Sequence, residues 1–330
     1  MVFAASFVLG FPVCALLRHL GVVDRPNSRS SHDRPTVRDG GAIMAAIILG
    51  AFLARWPITD AILIPLVDIS LFLAVLSFWD DLKSLPPAIR FGGHAAAALA
   101  ALALLGWPQL TIEISLTHAI VPWTWCGIVL MFLWLTGYTN AFNFMDGING
   151  IAAGQGSITA AGTALIAGLA AKSWDGPVVL GAVVIVGACA GFLPHNFPKA
   201  RMFMGDVGSA PLGFLLAFLA LWAAKEHGWW LLIPLALLHA NFVLDTGITF
   251  VRRVLRGEKW YDAHREHFYQ RLIRSGKSHA FVTGCEMGLQ LLVLGLILSP
   301  IQSARAGGVD WIGAADMAGL LCLLRTGVQK

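Results

Sequence analysis

The chain has 330 residues, of which 57% are hydrophobic and only 13% are charged, and its mean hydropathy is +0.72. This composition excludes a soluble globular protein and predicts an integral membrane protein. The formal net charge is +4. The basic residues lie between apolar runs, which is explained by membrane topology, so no nucleic-acid partner is expected.

Apolar runs recur along the whole chain and predict one all-α polytopic membrane domain over residues 1–330, with about ten or eleven transmembrane helices. The first run lacks basic residues before it and is interpreted as a retained helix. Residues 111–116 alternate polar and apolar side chains, which predicts a short periplasmic β-hairpin. The runs cover residues 1–17, 40–54, 61–79, 93–106, 123–141, 151–171, 177–193, 210–224, 229–247, 280–299 and 309–324.

Alternate segments between these runs contain most of the basic residues. Because Lys and Arg concentrate in cytoplasmic loops, their division predicts an external N-terminus and a cytoplasmic C-terminus. The loops that would then face the cytoplasm, near 18–39, 80–92, 140–150, 194–209 and 248–279, contain most of the polar clusters and are the candidate catalytic loops. Of the 23 Lys and Arg residues, only Arg55, Lys172, Lys225 and Arg305 fall on the other side.

Two adjacent carboxylates, Asp80 and Asp81, follow the third run, where a helix reaches the membrane interface. Neighbouring acids repel each other unless a cation or a shared proton lies between them, so the pair suits Mg²⁺. A solvated helix end is the alternative interpretation.

The fifth run ends in three polar residues, Asn140, Asn143 and Asp146, spaced three apart. On a helix they share one face, and such a set at a membrane helix end is costly unless it meets a ligand, a metal ion or polar partners. Gly147 and Gly150 allow the backbone to turn close to a ligand. A hydrogen-bonded cluster between helices is the alternative.

The segment after the seventh run contains Gly-Asp-Val-Gly-Ser at 205–209, ahead of another apolar run. Glycine N–H groups can bind phosphate, the serine can cap the following helix, and the aspartate can hold a metal ion that bridges phosphate oxygens. A capped turn alone would not explain the other polar residues nearby. The phosphate-binding and nucleotide-binding candidates here are Asn196, Lys199, Arg201, Gly205, Gly208 and Ser209, and the metal candidate is Asp206.

The longest polar segment, 248–279, contains His264, Arg265 and His267 in basic surroundings. Two histidines three residues apart could bind zinc, but the segment has no cysteine. Phosphate contact is therefore the better interpretation. The first loop, 18–39, is also polar, although topology alone accounts for its charge.

Taken in order, these segments resemble the polyprenyl-phosphate N-acetylhexosamine-1-phosphate transferases of glycosyltransferase family 4, which are related to phospho-N-acetylmuramoyl-pentapeptide transferase. The resemblance covers about residues 24–272. It rests on a Pro-Asn-x-Arg loop with Gly-Gly, the Asp-Asp pair, Asn-x-x-Asn-x-x-Asp-Gly, Gly-Asp-x-Gly-Ser and the late histidines. The stretch around His264 and His267 is most similar to the branch that initiates O-antigen and other surface polysaccharides.

The resemblance implies transfer of an N-acetylhexosamine 1-phosphate from a UDP-N-acetylhexosamine to undecaprenyl phosphate or another polyprenyl phosphate, with release of UMP. It implies Mg²⁺ as cofactor, which Mn²⁺ can replace, and a homodimer is a further expectation. The implied catalytic residues are Asp80, Asp81, Asp146, His264 and His267; the implied metal ligands are Asp206 and Asp146; Asn140, Asn143 and Asn196 would line the nucleotide site, and Arg265 would bind phosphate.

Three alternatives remain open from the sequence. A transporter or lipid flippase would use intramembrane acids such as Asp68 and Glu286, but the polar clusters lie at one interface. A CDP-alcohol phosphotransferase would need several closely spaced aspartates on one segment, which the chain lacks. A non-catalytic relative is the third alternative, because Asn149 and Ala88 depart from the family motifs.

Overall fold

A computed structural model describes residues 1–24, 35–55, 61–106, 111–114, 119–122, 124–258 and 264–306. These ranges are mainly helical, and a 3-10 turn, Trp229–Leu231, precedes the ninth helix. The helices are α1 Val2–His19, α2 Gly41–Arg55, α3 Leu63–Lys83, α4 Pro87–Leu105, α5 Thr124–Met145, α6 Ile151–Ala171, α7 Pro177–Asn196, α8 Asp206–His227, α9 Leu232–Leu238, α10 Ala240–Leu255, α11 Phe268–Arg274 and α12 His279–Ala306; the strands are β1 Val23–Asp24, β2 Thr36–Val37, β3 Thr111–Ile114 and β4 Ala119–Pro122.

The prediction of an all-α polytopic membrane protein is confirmed. Within the described ranges, seven helices are long and apolar enough to cross a membrane, or eight if the bent pair α9–α10 counts as one span. This is fewer than the ten or eleven spans expected, because α2 has only 15 residues and α6 is rich in Gly, Ala and Thr. The predicted run 309–324 lies outside the described residues.

Helix α8 occupies the centre of the bundle. Its whole apolar window is buried (100%), because α2, α3, α5, α6 and α7 pack around it. Small residues such as Ala210 and Gly213 permit this close packing of neighbouring helices. Since α8 begins at Asp206, the first turn of this enclosed helix carries a carboxylate.

The chain bends by 75° between α9 and α10, in the region where the sequence predicted one span over 229–247. The break frees the Leu238 carbonyl, which needs a partner because no water reaches a buried helix core. Gln155 Nε2 and Thr159 Oγ1 of α6 donate to it at 3.2 and 3.3 Å, and Gln290 Nε2 of α12 donates as well. Side chains from two other helices therefore stabilise the bend.

Two small antiparallel sheets complete the fold. Strands β3 and β4 confirm the hairpin predicted around residues 111–116, whereas the pairing of β1 with β2 was not predicted. The connections from α1 through α8 reverse the chain between packed helices. The C-terminal ends of α1, α3, α5 and α7 therefore lie at the same end of the bundle as the N-terminal ends of α2, α4, α6 and α8.

Candidate active site

The first polar loop is hydrogen-bonded to the segment that precedes α8. Phe203 N–H donates to Val37 O at 2.7 Å, Gly40 N–H donates to Phe203 O at 2.9 Å, and Gly41 N–H donates to Met204 O at 2.8 Å. These backbone bonds connect positions more than 160 residues apart in the chain. They place the start of α2 beside the start of α8.

Asp39 lies on this paired loop and faces Asp81 of α3. The Arg38 guanidinium lies between the two carboxylates, with Nε 3.4 Å from Asp39 Oδ2 and Nη2 3.6 Å from Asp81 Oδ1. The side chain of Asp39 is only 7% exposed. Burial raises the pKa of Asp39, although the adjacent Arg38 opposes the shift.

The buried oxygens Asp39 Oδ1 and Asp81 Oδ2 receive no hydrogen bond from an N–H or hydroxyl donor within the described ranges, and the two carboxyl groups contact each other. A buried carboxylate oxygen without a donor is costly. The residue at 205 must be glycine for Asp39 to fit, because a Cβ there would overlap Asp39 Oδ1 and because Gly205 has a φ of 72°. The arrangement thus leaves unsatisfied acceptor atoms beside the start of α8.

Asp80 lies in the last turn of α3 and is held by two contacts. Arg90 Nη1 of α4 is 3.2 Å from Asp80 Oδ2, and the Leu85 backbone N–H donates to Asp80 Oδ1 at 2.6 Å. Arg90 is 42% exposed, so its guanidinium can also reach a ligand. Pro87 begins α4 and thereby puts Arg90 in its first turn, opposite the end of α3.

Asp146 and Asp206 repel each other across the ends of α5 and α8. Burial raises the pKa of Asp146 well above the usual range, and the Asp206 charge raises it further, whereas a hydrogen bond from the Gly205 backbone N–H lowers it. Asn143 Nδ2 donates to Ser209 Oγ at 2.9 Å, and its side chain also contacts the Asp206 carboxylate. Asn143, Asp146, Asp206 and Ser209 therefore lie close together.

The start of α8 differs from the expected capped turn. Ser209 was predicted to cap the helix, but α8 begins three residues earlier, with Gly205 at the N-cap position and no side-chain cap hydrogen bond. Ser209 is buried in the first turn and contacts Asn143 instead. Gly208 packs against Gly41 of α2, so its small size serves helix packing.

Four other candidate residues lie away from the carboxylates, and three of them contact neighbouring parts of the fold. Asn196 is buried, accepts from Gly150 N–H at 2.6 Å and donates to Met202 O at 2.9 Å. Asn140 donates to Thr136 O at 2.7 Å and hydrogen-bonds His94. The exposed Arg201 stacks its guanidinium 5.6 Å from the Phe11 ring of α1, and Lys199 is exposed nearby. No described contact joins these four side chains to the carboxylates.

Residues 264–267, hereafter the histidine segment, pack against α10. His267 is buried, and its Nδ1 lies 3.0 Å from Asp245 Oδ1. His264 is half-buried, and its ring centroid lies 4.9 Å from that of His267. Burial lowers the pKa of His264, and the neighbouring His267 and Arg253 lower it further. Arg265, between the two histidines, is half-buried.

Tyr269, just after the histidine segment, connects it to the carboxylates. Its hydroxyl donates to Phe144 O at 3.0 Å, two residues before Asp146. A side chain at Gly147 would overlap this hydroxyl, which explains the glycine after Asp146. Burial raises the pKa of Tyr269, and the nearby charges of Asp146 and Asp245 raise it further.

The sequence did not identify Arg38, Asp39, Arg90, Asp245 or Tyr269 as site residues. Asp245 offered a signal, because an acid within an apolar run is costly without a partner. Arg38 and Asp39 offered no such signal, because membrane topology already explained the charge of their loop. Their contacts depend on the pairing of two distant loops.

Comparison with known proteins identifies the family. The sequence profile described as Glycosyl transferase family 4 matches residues 63–224. The chain is 31% identical to decaprenyl-phosphate N-acetylglucosaminephosphotransferase of Mycobacterium tuberculosis, over 96% of this chain and 86% of that protein.

Two further relatives have different names. A probable undecaprenyl-phosphate N-acetylglucosaminyl 1-phosphate transferase of Bacillus subtilis is 27% identical over 89% of this chain and 80% of its own length. Phospho-N-acetylmuramoyl-pentapeptide-transferase of Desulforudis audaxviator is 30% identical over 89% and 95%. With carboxylates gathered at one end of an apolar helical bundle and relatives that match nearly the whole chain, this protein belongs to glycosyl transferase family 4.

Proposed function

We propose that this protein transfers an N-acetylhexosamine 1-phosphate from a UDP-N-acetylhexosamine to a polyprenyl phosphate, such as undecaprenyl phosphate, and releases UMP. The names of the relatives support this class of reaction. One observation carries the proposal, namely a cluster of carboxylates between the ends of membrane helices. We call this set the carboxylate cluster: Asp39, Asp80, Asp81, Asp146 and Asp206.

The position of the cluster suits two substrates of different solubility. The UDP-sugar is soluble and the polyprenyl phosphate is embedded in lipid, so they can meet only where membrane helices end. Phosphoryl transfer requires positioned groups and neutralised charge more than covalent participation by the protein. Arg38 and Arg90 beside the cluster can neutralise phosphate oxygens.

The residues fit a Mg²⁺ ion. Within the described ranges no three His, Cys, Asp or Glu side chains converge on one point, but Mg²⁺ commonly binds one or two carboxylates and completes its shell with water and phosphate. The unpartnered oxygens of Asp39 and Asp81 and the mutual repulsion of Asp146 and Asp206 favour a cation. Asp206 and Asp146 would hold it. Bound Mg²⁺ would neutralise charge on the transferred phosphate.

The other residues would position the substrates. Asn143 holds the Asp206 carboxylate and Ser209 in place. His264 would donate a hydrogen bond to phosphate, because its Nδ1 accepts from Glu266 N–H at 3.4 Å and its neutral ring then carries the proton on Nε2. Arg90 would bind the lipid phosphate, since its exposed guanidinium lies beside Asp80 at the membrane interface.

The cellular setting follows from the same proposal. The bacterial relatives support a bacterial inner membrane, and the distribution of Lys and Arg supports a carboxylate cluster that faces the cytoplasm. The histidine segment supports a role in the initiation of O-antigen or another cell-envelope polysaccharide. The homodimer stays a prediction.

The contacts of Asp68 and Glu286 disfavour a transporter. Asp68 lies on the exposed surface of α3, and Glu286 of α12 accepts a hydrogen bond of 3.3 Å from Asn241 of α10. The two acids therefore do not share an internal pathway among the described residues.

A transfer assay tests the proposal. Purified protein would be incubated with undecaprenyl phosphate, Mg²⁺ and a panel of UDP-N-acetylhexosamines, with UMP release measured and the lipid product identified by mass spectrometry. We expect a lipid diphosphosugar, abolished by a chelator and restored by Mg²⁺ or Mn²⁺. Absence of product with every donor would refute the proposed reaction, and full activity in excess chelator would refute the metal.

A further inference from the structure

Asp245 is a buried carboxylate in α10 with four hydrogen-bond partners. Its Oδ1 lies 3.0 Å from His267 Nδ1 and 3.3 Å from Thr249 Oγ1, and it accepts from Phe268 N–H at 2.9 Å. Its Oδ2 accepts from Tyr269 N–H at 3.3 Å. One side chain of α10 thus binds both the second histidine and the first two backbone N–H groups of α11.

The contact with Asp245 determines which His267 nitrogen can meet a substrate. A carboxylate that carries no proton only accepts hydrogen bonds, so in the pair with Asp245 the donor is His267 Nδ1; the His267 side chain also faces the Gln270 backbone N–H at the start of α11. The proton on Nδ1 leaves Nε2 as the ring nitrogen for a ligand. A carboxylate partner of this kind fixes both the tautomer and the orientation of an imidazole.

The surrounding contacts fix the histidine segment on two further sides. Glu266, which lies between the two histidines in the sequence, forms an ion pair with α10, because its Oε1 is 3.3 Å from Arg253 Nη1. Tyr269 binds the Phe144 carbonyl next to Asp146. The Asp245 carboxylate therefore sets the ring of His267 within a segment that is already attached to the carboxylate cluster.

We propose that Asp245 is a positioning residue of the transfer reaction, which acts by holding the His267 imidazole in one tautomer and one orientation at the active site. The reaction itself rests on the proposed function. Asp245 touches no substrate in this scheme, so its contribution to the transfer reaction passes through His267. Asp245 lies outside the carboxylate cluster, and its carboxylate contacts a histidine and not a metal ion.

The first test is a double-mutant cycle in the transfer assay. Asp245→Asn keeps the size of the side chain and an oxygen acceptor for the α11 backbone, but it removes the charge. We expect kcat/KM to fall about 10-fold or more, as for other carboxylates that orient a functional histidine. Thr249→Val is the matched control, because it removes a different partner of Asp245 Oδ1, and we expect less than about a twofold change.

The cycle separates positioning from general destabilisation. If Asp245 acts through His267, Asp245→Asn should cause little further loss in a His267→Gln background, since the two effects are not additive. Additive losses, or an Asp245→Asn enzyme that matches wild type, would overturn the proposal. All variants should elute as wild type does on size exclusion.

A second measurement does not depend on activity. Nitrogen NMR of the wild-type protein with ¹⁵N-labelled histidine, assigned with His267→Gln, reports which ring nitrogen carries the proton. We expect His267 protonated at Nδ1 and a changed signal in Asp245→Asn. A wild-type His267 protonated only at Nε2 would overturn the inference even if transfer is observed, whereas the expected spectrum without transfer would count against the proposed function alone.

Discussion

The Tyr269 hydroxyl lies 3.0 Å from the Phe144 carbonyl, and this hydrogen bond joins the histidine segment to the end of α5. Tyr269→Phe would remove the donor and leave a carbonyl without its partner, which typically costs about 1 kcal/mol. We expect slightly lower thermal stability and a clear loss of kcat/KM. Tyr138→Phe is the control, because it removes another buried hydroxyl, which faces Gln155 and Thr159 of α6 and does not contact the histidine segment. Equal effects of the two variants would contradict a special role for Tyr269.

Asp39→Asn tests whether Asp39, one of the residues that the sequence did not identify, contributes to metal binding. Asp39 has a φ of 63°, and asparagine tolerates this left-handed conformation as well as aspartate does. We expect transfer to fall and more Mg²⁺ to be needed, because a carboxylate near the metal is lost. Stability without Mg²⁺ should stay equal or rise, because repulsion with Asp81 is relieved. The control is Asp175→Asn at the exposed opposite end of the bundle. A simple loss of stability would indicate that Asp39 is structural.

The raised pKa values of Asp39 and Asp146 predict how stability depends on pH. The folded protein retains protons on these carboxyls above the ordinary value of 3.8, at which the unfolded chain releases them. In chelator, the free energy of unfolding should therefore fall as pH rises from about 4 through the raised values. Mg²⁺ should flatten this slope, because a cation favours the ionised carboxylates. Thermal unfolding measured across pH checks both expectations, and a slope that Mg²⁺ leaves unchanged would contradict them.

Asp206 and His264 should affect different kinetic constants. If Asp206 holds the metal that neutralises charge in the transition state, Asp206→Asn should lower kcat by about 10²-fold or more while UDP-sugar still binds. His264→Gln should mainly raise KM for the UDP-sugar, because a ground-state contact with phosphate is lost. Steady-state kinetics on variants that elute as wild type does would distinguish them. Near wild-type turnover of Asp206→Asn at saturating substrate would exclude its metal role.

Cysteine labelling tests the orientation in the membrane. With all five native cysteines replaced, a membrane-impermeant maleimide applied to intact cells should label Ser173→Cys and miss Ser275→Cys. Ser173 follows α6 and Ser275 follows α11, on opposite sides of the predicted topology. Permeabilised cells provide the control, because both positions should then react. The reverse pattern would place the carboxylate cluster outside.

Local patterns identified several polar residues that lie close together in the structure. Asn143, Asp146, Asp206 and Ser209 meet because polar residues at the ends of adjacent membrane helices share one interface. Asn196 was expected in the nucleotide site, but its buried amide joins two backbone segments. The sequence cannot distinguish these uses, since both need a polar side chain at a helix end.

Contacts between residues far apart in the chain could not be predicted from local sequence patterns. Asp39 meets Asp81 only because residues 37–41 pair with residues 203–204, a contact set by tertiary structure. The 75° bend also had no local signal at the break itself, where Leu238, His239 and Ala240 replace the usual proline or glycine.

The bend between α9 and α10 is held rigidly by hydrogen bonds and does not act as a hinge. To straighten it, Leu238 O would have to give up three side-chain donors, from Gln155, Thr159 and Gln290, in a place where no solvent could replace them. The angle at which α10 leaves the bundle, and with it the location of Asp245, is therefore set from the opposite side of the helix break.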